Sequence, residues 1–358
     1  AHRLTTIDRA GKTRRIADVP HEFRWSPAGD ELWFNQIESG TTTLRALSMS
    51  GARRFLASFP GDFVLHDVAR DGRVLLERVT EEREIVGRAK GEPGERNLSW
   101  LDGSLPVALS ADGRTLLFNE IGQGGGVNHA VYLRRMDGSP AVRLGEGGAH
   151  ALSADGQWAL VSPDSQADYL VLLPTGPGLP RRVPLGKIRI SGGGASLLPD
   201  GRRILVKGSE AGQAAKLYLL DVESGATRAV TPEGVSIDSA VHVSPDGRRA
   251  FLSTNGGESW IWNLEGGPAE PIRGIPAGHY AIEWCEDGKS LFVRTSADVP
   301  LRVFRLELAT GRLQPWKEFS IADIGTGLVG ILPAPDGQSY VYGYTRYFSD
   351  LFIAEGLK

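Results

Sequence analysis

Short apolar runs recur along the whole chain, separated by turn punctuation too dense for long helices. Leu116-Leu117-Phe118, Ala250-Phe251-Leu252 and Leu291-Phe292-Val293 are continuously apolar, which marks strands packed on both faces. Each follows a turn phrase of one kind, best written Ser-Pro-Asp-Gly. Its eight copies end at Gly29, Gly72, Gly113, Gly156, Gly201, Gly247, Gly288 and Gly337, at intervals of 43, 41, 43, 45, 46, 41 and 49 residues. That period is the one expected of four-stranded propeller blades. The phrase has a physical reason: Pro presets φ at the first corner, Asp bonds its own backbone two residues on, and Gly accepts the positive φ that closes a hairpin.

A second phrase falls between the copies of the first. Leu217-Tyr218-Leu219-Leu220 runs through a Gly225 turn to Thr227-Arg228-Ala229-Val230, and the pattern returns around Val131-Tyr132-Leu133, Ile261-Trp262-Asn263 and Val303-Phe304-Arg305. The first phrase therefore joins inner strands a and b of a blade, and the second joins outer strands c and d. The expected fold is all-β: a β-propeller of about eight four-stranded blades, with seven as the alternative, in a single domain over 1–358. After the eighth phrase Ser339-Tyr340-Val341-Tyr342 reads as strand b and Leu351-Phe352-Ile353-Ala354 as strand c, so strand d is missing. One of the N-terminal segments, Leu4 to Arg9 or Thr13 to Ala17, is expected to complete that last blade and leave no open sheet edge. The charged stretch 77–88 reads as a solvated hairpin.

Composition narrows the function classes. A formal charge of -3 leaves no basic excess for phosphates, so nucleic acid and anionic membrane surfaces are poor partners. No stretch approaches the roughly 20 apolar residues of a membrane helix, so no membrane insertion is expected. The chain opens at Ala1 without a Met, which reads as a processed chain or an excised fragment. Cys285 is the single cysteine; it excludes an internal disulfide framework, and its neighbours Trp284 and Glu286 point to a buried structural thiol.

The repeat phrases, together with Tyr132-Leu133-Arg134-Arg135-Met136-Asp137-Gly138-Ser139-Pro140, Leu172-Leu173-Pro174-Thr175-Gly176 and the closing run from Ser349 to Leu357, resemble the TolB-like repeat region attached to bacterial serine/threonine protein kinases, particularly those of Acidobacteria. That resemblance implies a recognition module, typically periplasmic, and no chemistry. The kinase itself is not in this sequence: there is no Gly-rich lid with a strand lysine, no His-Arg-Asp loop and no Asp-Phe-Gly, and the glycine run 122–126 lacks the spacing that covers phosphates. No G-x-S-x-G elbow and no H-E-x-x-H occurs either.

Candidate binding residues follow from position. In a propeller the d-to-a and b-to-c connections converge around the central channel, where ligands usually bind. His21, His66, His150, His242 and His279 lie five to nine residues ahead of their repeat glycines, near the start of strand a, with Arg189, Asp238 and Tyr280 in the same connections; the b-to-c loops add Asn128, His129, Arg346 and Tyr347. The histidines stand in unequal registers, so no metal ligand is assigned and no cofactor is expected. The function expected is a noncatalytic recognition or sensor propeller, not an enzyme, that binds a protein, peptide or small-molecule ligand at the channel face, outside the cytoplasm and within a larger signalling protein. The alternatives are a lyase or hydrolase with a His/Asp site at the channel mouth, and a purely structural assembly module.

Overall fold

The computed structural model describes residues 2–7, 10, 12–19, 22–38, 40–164, 167–232, 241–253, 258–296, 300–320 and 326–357. The chain packs as two compact units, Glu82–Arg346 and the combination of Ala1–Glu81 with Tyr347–Lys358, where the sequence reads as a single domain.

The Glu82–Arg346 unit is a propeller. Five four-stranded antiparallel sheets follow one another in chain order, with first strands Ser104–Leu109, Gly148–Leu152, Arg189–Leu197, His242–Val243 and His279–Trp284; these are blades one to five. Blade six is assembled from both ends of the unit. Its first strand is Thr326–Pro333, its second the 340–346 portion of Tyr340–Ala354, its third the 82–88 end of Val74–Arg88, and its fourth Arg96–Asn97. The six first strands pack side by side in closed order, the sixth against the first.

The ring of this unit has six blades, where the sequence counts eight or seven over the whole chain. Six of the eight turn phrases close blades here; those at Gly29 and Gly72 belong to the other unit. The last blade is completed by strands 82–88 and Arg96–Asn97, and not by either N-terminal segment as expected. Strands His2–Ile7 and Thr13–Val19 pair with each other instead. Tyr340–Ala354 is one uninterrupted strand, so no strand c begins at Leu351, and Val74–Arg88 is a strand through the charged stretch and not a hairpin. A period counted on turns is blind to where a strand ends.

The turns themselves form as their chemistry dictates. All eight repeat glycines have positive φ, from 59° at Gly288 to 87° at Gly72, a region that a side chain disfavours. In each, the glycine N–H donates to the carbonyl three residues back, at 2.8 to 3.0 Å. Asp112, Asp155, Asp200, Asp246, Asp287 and Asp336 each accept the N–H two residues on. The serine adds a contact that the phrase alone does not announce. The Ser110, Ser153 and Ser244 hydroxyls donate to the turn aspartate and accept the first amide of strand b at 2.9 Å. These serine contacts are the largest cause holding the Asp112, Asp155 and Asp246 carboxyls below their ordinary value.

Between blades the apolar faces form successive cores, such as Leu160, Leu170, Val183, Ile204, Val206 and Leu220 between blades two and three. Cys285 sits in the core between blades five and six, where burial pushes its thiol up to about 12 and makes it inert. The other unit holds a four-stranded sheet of Arg24–Trp25, Glu31–Glu38, Thr41–Ser48 and Arg53–Pro60, with Trp33, Leu44, Phe63, Leu65 and Leu76 in its core. Among the described residues no helix is long and apolar enough to cross a membrane.

Candidate functional site

The inner strands of the ring enclose a cavity of about 1170 Å³. All six blades line it, and it extends to the face carrying the first-to-second strand turns, where Ser110, Ser153, Pro199, Pro245 and Pro335 stand. The reason lies in the strand order. The first strand of every blade is innermost, so its side chains and the turn that follows it border the axis.

One wall is unusually well fixed. The Trp284 indole N–H donates to the His242 carbonyl at 3.0 Å, tying blade five to blade four. The His242 ring stacks on Phe251 with centroids 4.7 Å apart and planes 8° from parallel. Its Nδ1 lies 3.4 Å from Glu283 Oε2, while Glu283 Oε1 accepts the Trp284 backbone N–H at 2.8 Å. On blade two, His150 Nε2 lies 2.6 Å from the Ser162 hydroxyl, and Ser162 does not itself line the cavity.

Burial pushes the His150 imidazole down to about 4. The unfolded chain takes up this proton near pH 6.5 and the folded one only near pH 4, so the residue's contribution to stability is fully present above pH 6.5 and is lost as the pH falls toward 4. Between pH 7 and pH 5 that loss is about 2 kcal/mol. Urea titrations of the wild type and of His150→Gln at the two pH values should show the wild type losing that much more. Equal losses would mean that the folded protein accepts the proton.

No family model and no curated protein matches this sequence. Solved structures similar in fold include TolB of Acinetobacter baumannii, 12% identical over 88% of this chain and 81% of that one with a TM-score of 0.47. An oligogalacturonate lyase in complex with manganese is 14% identical over 77% and 76%, with a TM-score of 0.48. The nidogen/laminin complex is 12% identical over 74% and 98%, again with a TM-score of 0.48. TolB-like propellers are thus among the similar folds. The propeller assignment rests on the chain's own sheets, and what each of those proteins binds or converts stays with that protein.

The residues singled out in the sequence are dispersed. His150 lines the cavity. Asn128 and His129 are exposed in the second-to-third strand connection of blade one, His129 with a φ of 61°. Arg189 opens the first strand of blade three, exposed, and donates to the Ile188 carbonyl at 3.3 Å. His279 opens that of blade five with Nδ1 3.3 Å from the Ala277 carbonyl, and the exposed Tyr280 lies under the Arg294 guanidinium at 5.8 Å. Arg346 is engaged by Glu84 at 3.0 Å and by the Tyr344 hydroxyl at 3.2 Å. His66, paired with Glu77, and the exposed Tyr347 belong to the other unit. His21 and Asp238 lie outside the described residues.

Sequence reasoning missed Glu283, Trp284 and Glu286, which line the cavity beside His242. Their signal was adjacency to the seventh turn phrase, which places them at the inner end of a first strand. The glycine run 122–126 has a packing role. A side chain on Gly125 would collide with the Glu120 carbonyl, and one on Gly122 would come 2.6 Å from the Asp102 carboxylate. Among the described residues no three His, Cys, Asp or Glu side chains form a group able to hold a metal.

Proposed function

We propose that the Glu82–Arg346 unit is a noncatalytic recognition propeller whose ligand, a protein segment, a peptide or a small molecule, enters the central cavity from the face of the first-to-second strand turns. The observation that carries this reading is the cavity itself, about 1170 Å³ and open to all six blades. It exceeds the roughly 300 to 1,000 Å³ of ordinary small-molecule sites. Its walls mix apolar groups such as Leu152 and Leu332 with serine hydroxyls and carboxylates, so that both apolar and polar parts of a ligand could be met there. Catalysis is less well supported. Ser162, the hydroxyl hydrogen-bonded to His150, stands outside the cavity lining, and the sequence carries no nucleophile motif. The interrepeat phrases that resemble kinase-linked TolB-like propellers favour a place as the extracytoplasmic sensor of a larger signalling protein.

The test is a thermal-shift screen of the full chain against peptides and oligosaccharides, with Ser196→Trp as comparator. Ser196 lines the cavity on blade three, and an indole there projects bulk into it and obstructs it. A ligand at a hundred times its Kd should stabilise the wild type by about 2.7 kcal/mol and leave Ser196→Trp unshifted. An equal shift in both proteins would place binding elsewhere, and turnover of any screened compound would overturn the noncatalytic reading.

A further inference from the structure

Charge around the cavity is uneven, and the imbalance resolves to one wall. Six carboxylates line it against three basic side chains, Lys90, Arg114 and Arg135, among the described residues. Most of these charges cancel locally. Lys90 Nζ lies 3.6 Å from Asp336 and Arg135 Nε 3.6 Å from Asp137. Glu92 lies 3.5 Å from Arg96, and Asp112, which accepts the Ser110 hydroxyl at 2.6 Å and the Arg114 backbone N–H at 3.1 Å, has the Arg114 charge beside it.

What remains is Glu283 and Glu286, three residues apart on blade five. Glu283 accepts the Trp284 backbone N–H, and among the described residues its one ion-pair partner is His242 at 3.4 Å, which carries charge only when protonated. The Glu286 carboxylate is exposed, while its backbone N–H is spent on the Pro335 carbonyl at 2.9 Å. Arg249 of blade four makes its contacts with other groups. It stands over the Trp284 ring at 5.1 Å, donates to the Gly288 carbonyl at 2.6 Å and is absent from the lining. Two carboxylates on one wall, in a space too large for a single small cation, suit a chain that carries basic groups along its length.

We infer that the cavity selects an extended basic polypeptide segment, whose Lys or Arg side chains meet Glu283 and Glu286. This rests on the recognition reading above and adds the charge of the ligand.

The probes are three fluorescein-labelled octapeptides, alternating Lys-Ser, Glu-Ser and Gly-Ser, titrated by fluorescence anisotropy with the full chain. At ~0.01 M salt the Lys peptide should bind at least about tenfold more tightly than the Gly peptide, and the advantage should vanish at ~1 M salt, where the screening length falls from ~30 Å to ~3 Å. The double variant Glu283→Gln/Glu286→Gln should lose about tenfold for the Lys peptide only, the size of two partly exposed charge pairs. Both changes are isosteric, and an unchanged melting curve will show that the fold is retained. Ser196→Trp should bind none of the three.

Undiminished binding of the Lys peptide by the double variant, or a Gly or Glu peptide bound as tightly as the Lys peptide, would overturn the charge inference. The recognition reading would survive that result if Ser196→Trp still abolished binding. Spermine displacing the Lys peptide at equal concentration would overturn the polypeptide assignment in favour of a small polyamine. No binding of any peptide would overturn the inference, and the wider ligand screen then judges the recognition reading alone.

Discussion

Replacing Glu120 with Ala should lower the stability of the Glu82–Arg346 unit by about 3–5 kcal/mol. Glu120 ends the second strand of blade one and is wholly buried. Oε1 accepts the Leu101 N–H at 3.1 Å and the Ser104 hydroxyl, and Oε2 accepts the Gly103 N–H at 3.2 Å. A buried carboxylate survives only where hydrogen bonds replace its lost hydration, and here three donors do so. They come from the segment that leads from blade six into blade one, so the carboxylate fixes the start of the blade series. Alanine strands all three donors and leaves a hole; Glu120→Gln keeps the shape and one oxygen, and should cost about 1–3 kcal/mol. Urea unfolding followed by tryptophan fluorescence measures both. An alanine variant within about 1 kcal/mol of wild type, inside the range of an ordinary single substitution, would show that water replaces the carboxylate without loss.

The second large effect lies at the ring closure. Glu95 accepts the Tyr340 hydroxyl at 2.6 Å and the Tyr342 hydroxyl at 2.8 Å, with Lys317 Nζ of blade five at 3.7 Å. The two tyrosines project from one face of strand 340–346, in the core shared by blades five and six, and are almost fully buried. Glu95→Ala should cost about 2–3 kcal/mol, because both hydroxyls lose a charged acceptor. Tyr342→Phe alone should cost less, and in combination with Glu95→Ala the two losses should be clearly less than additive. Strict additivity would mean that the pair does not interact.

The same contact has a pH signature. Burial first, and then the bond to Glu95, push both phenols above their ordinary value of 10.0. The folded protein keeps its tyrosine protons where the unfolded chain releases them, so this contribution is fully present below about pH 10 and is lost as the pH rises above it. The alkaline loss should be shallower in Glu95→Ala.

Local chemistry was legible. The turn phrase specifies its own geometry because Asp and Gly act within four residues, and every repeat glycine adopts the positive φ that its position demands. The continuous apolar runs at 116–118, 250–252 and 291–293 are second strands packed on both sides. Such features depend on neighbours in sequence, and no other part of the molecule need be known to read them.

The ring was not legible in the same way. Eight phrases imply eight blades only if each stands in one circle, and the packing of first strands admits six. Which strands complete the last blade is a matter of pairing across about 250 residues, as where Tyr344 donates to Glu84, 260 positions away; nothing in the local pattern of 82–88 distinguishes a closing strand from a hairpin arm. The candidate site divides along the same line. That histidines precede the repeat glycines could be read from the chain, but which of them reach the axis could not, since strand bulges such as that between Ala149 and Ala151 turn one side chain inward and its neighbours away. Turns, strands and the all-β class follow from short-range sterics and hydrogen bonding, and so can be read along the chain. The number of blades in the ring, the closing strands and the cavity wall of His242, Glu283, Trp284 and Glu286 depend on groups that folding alone brings together.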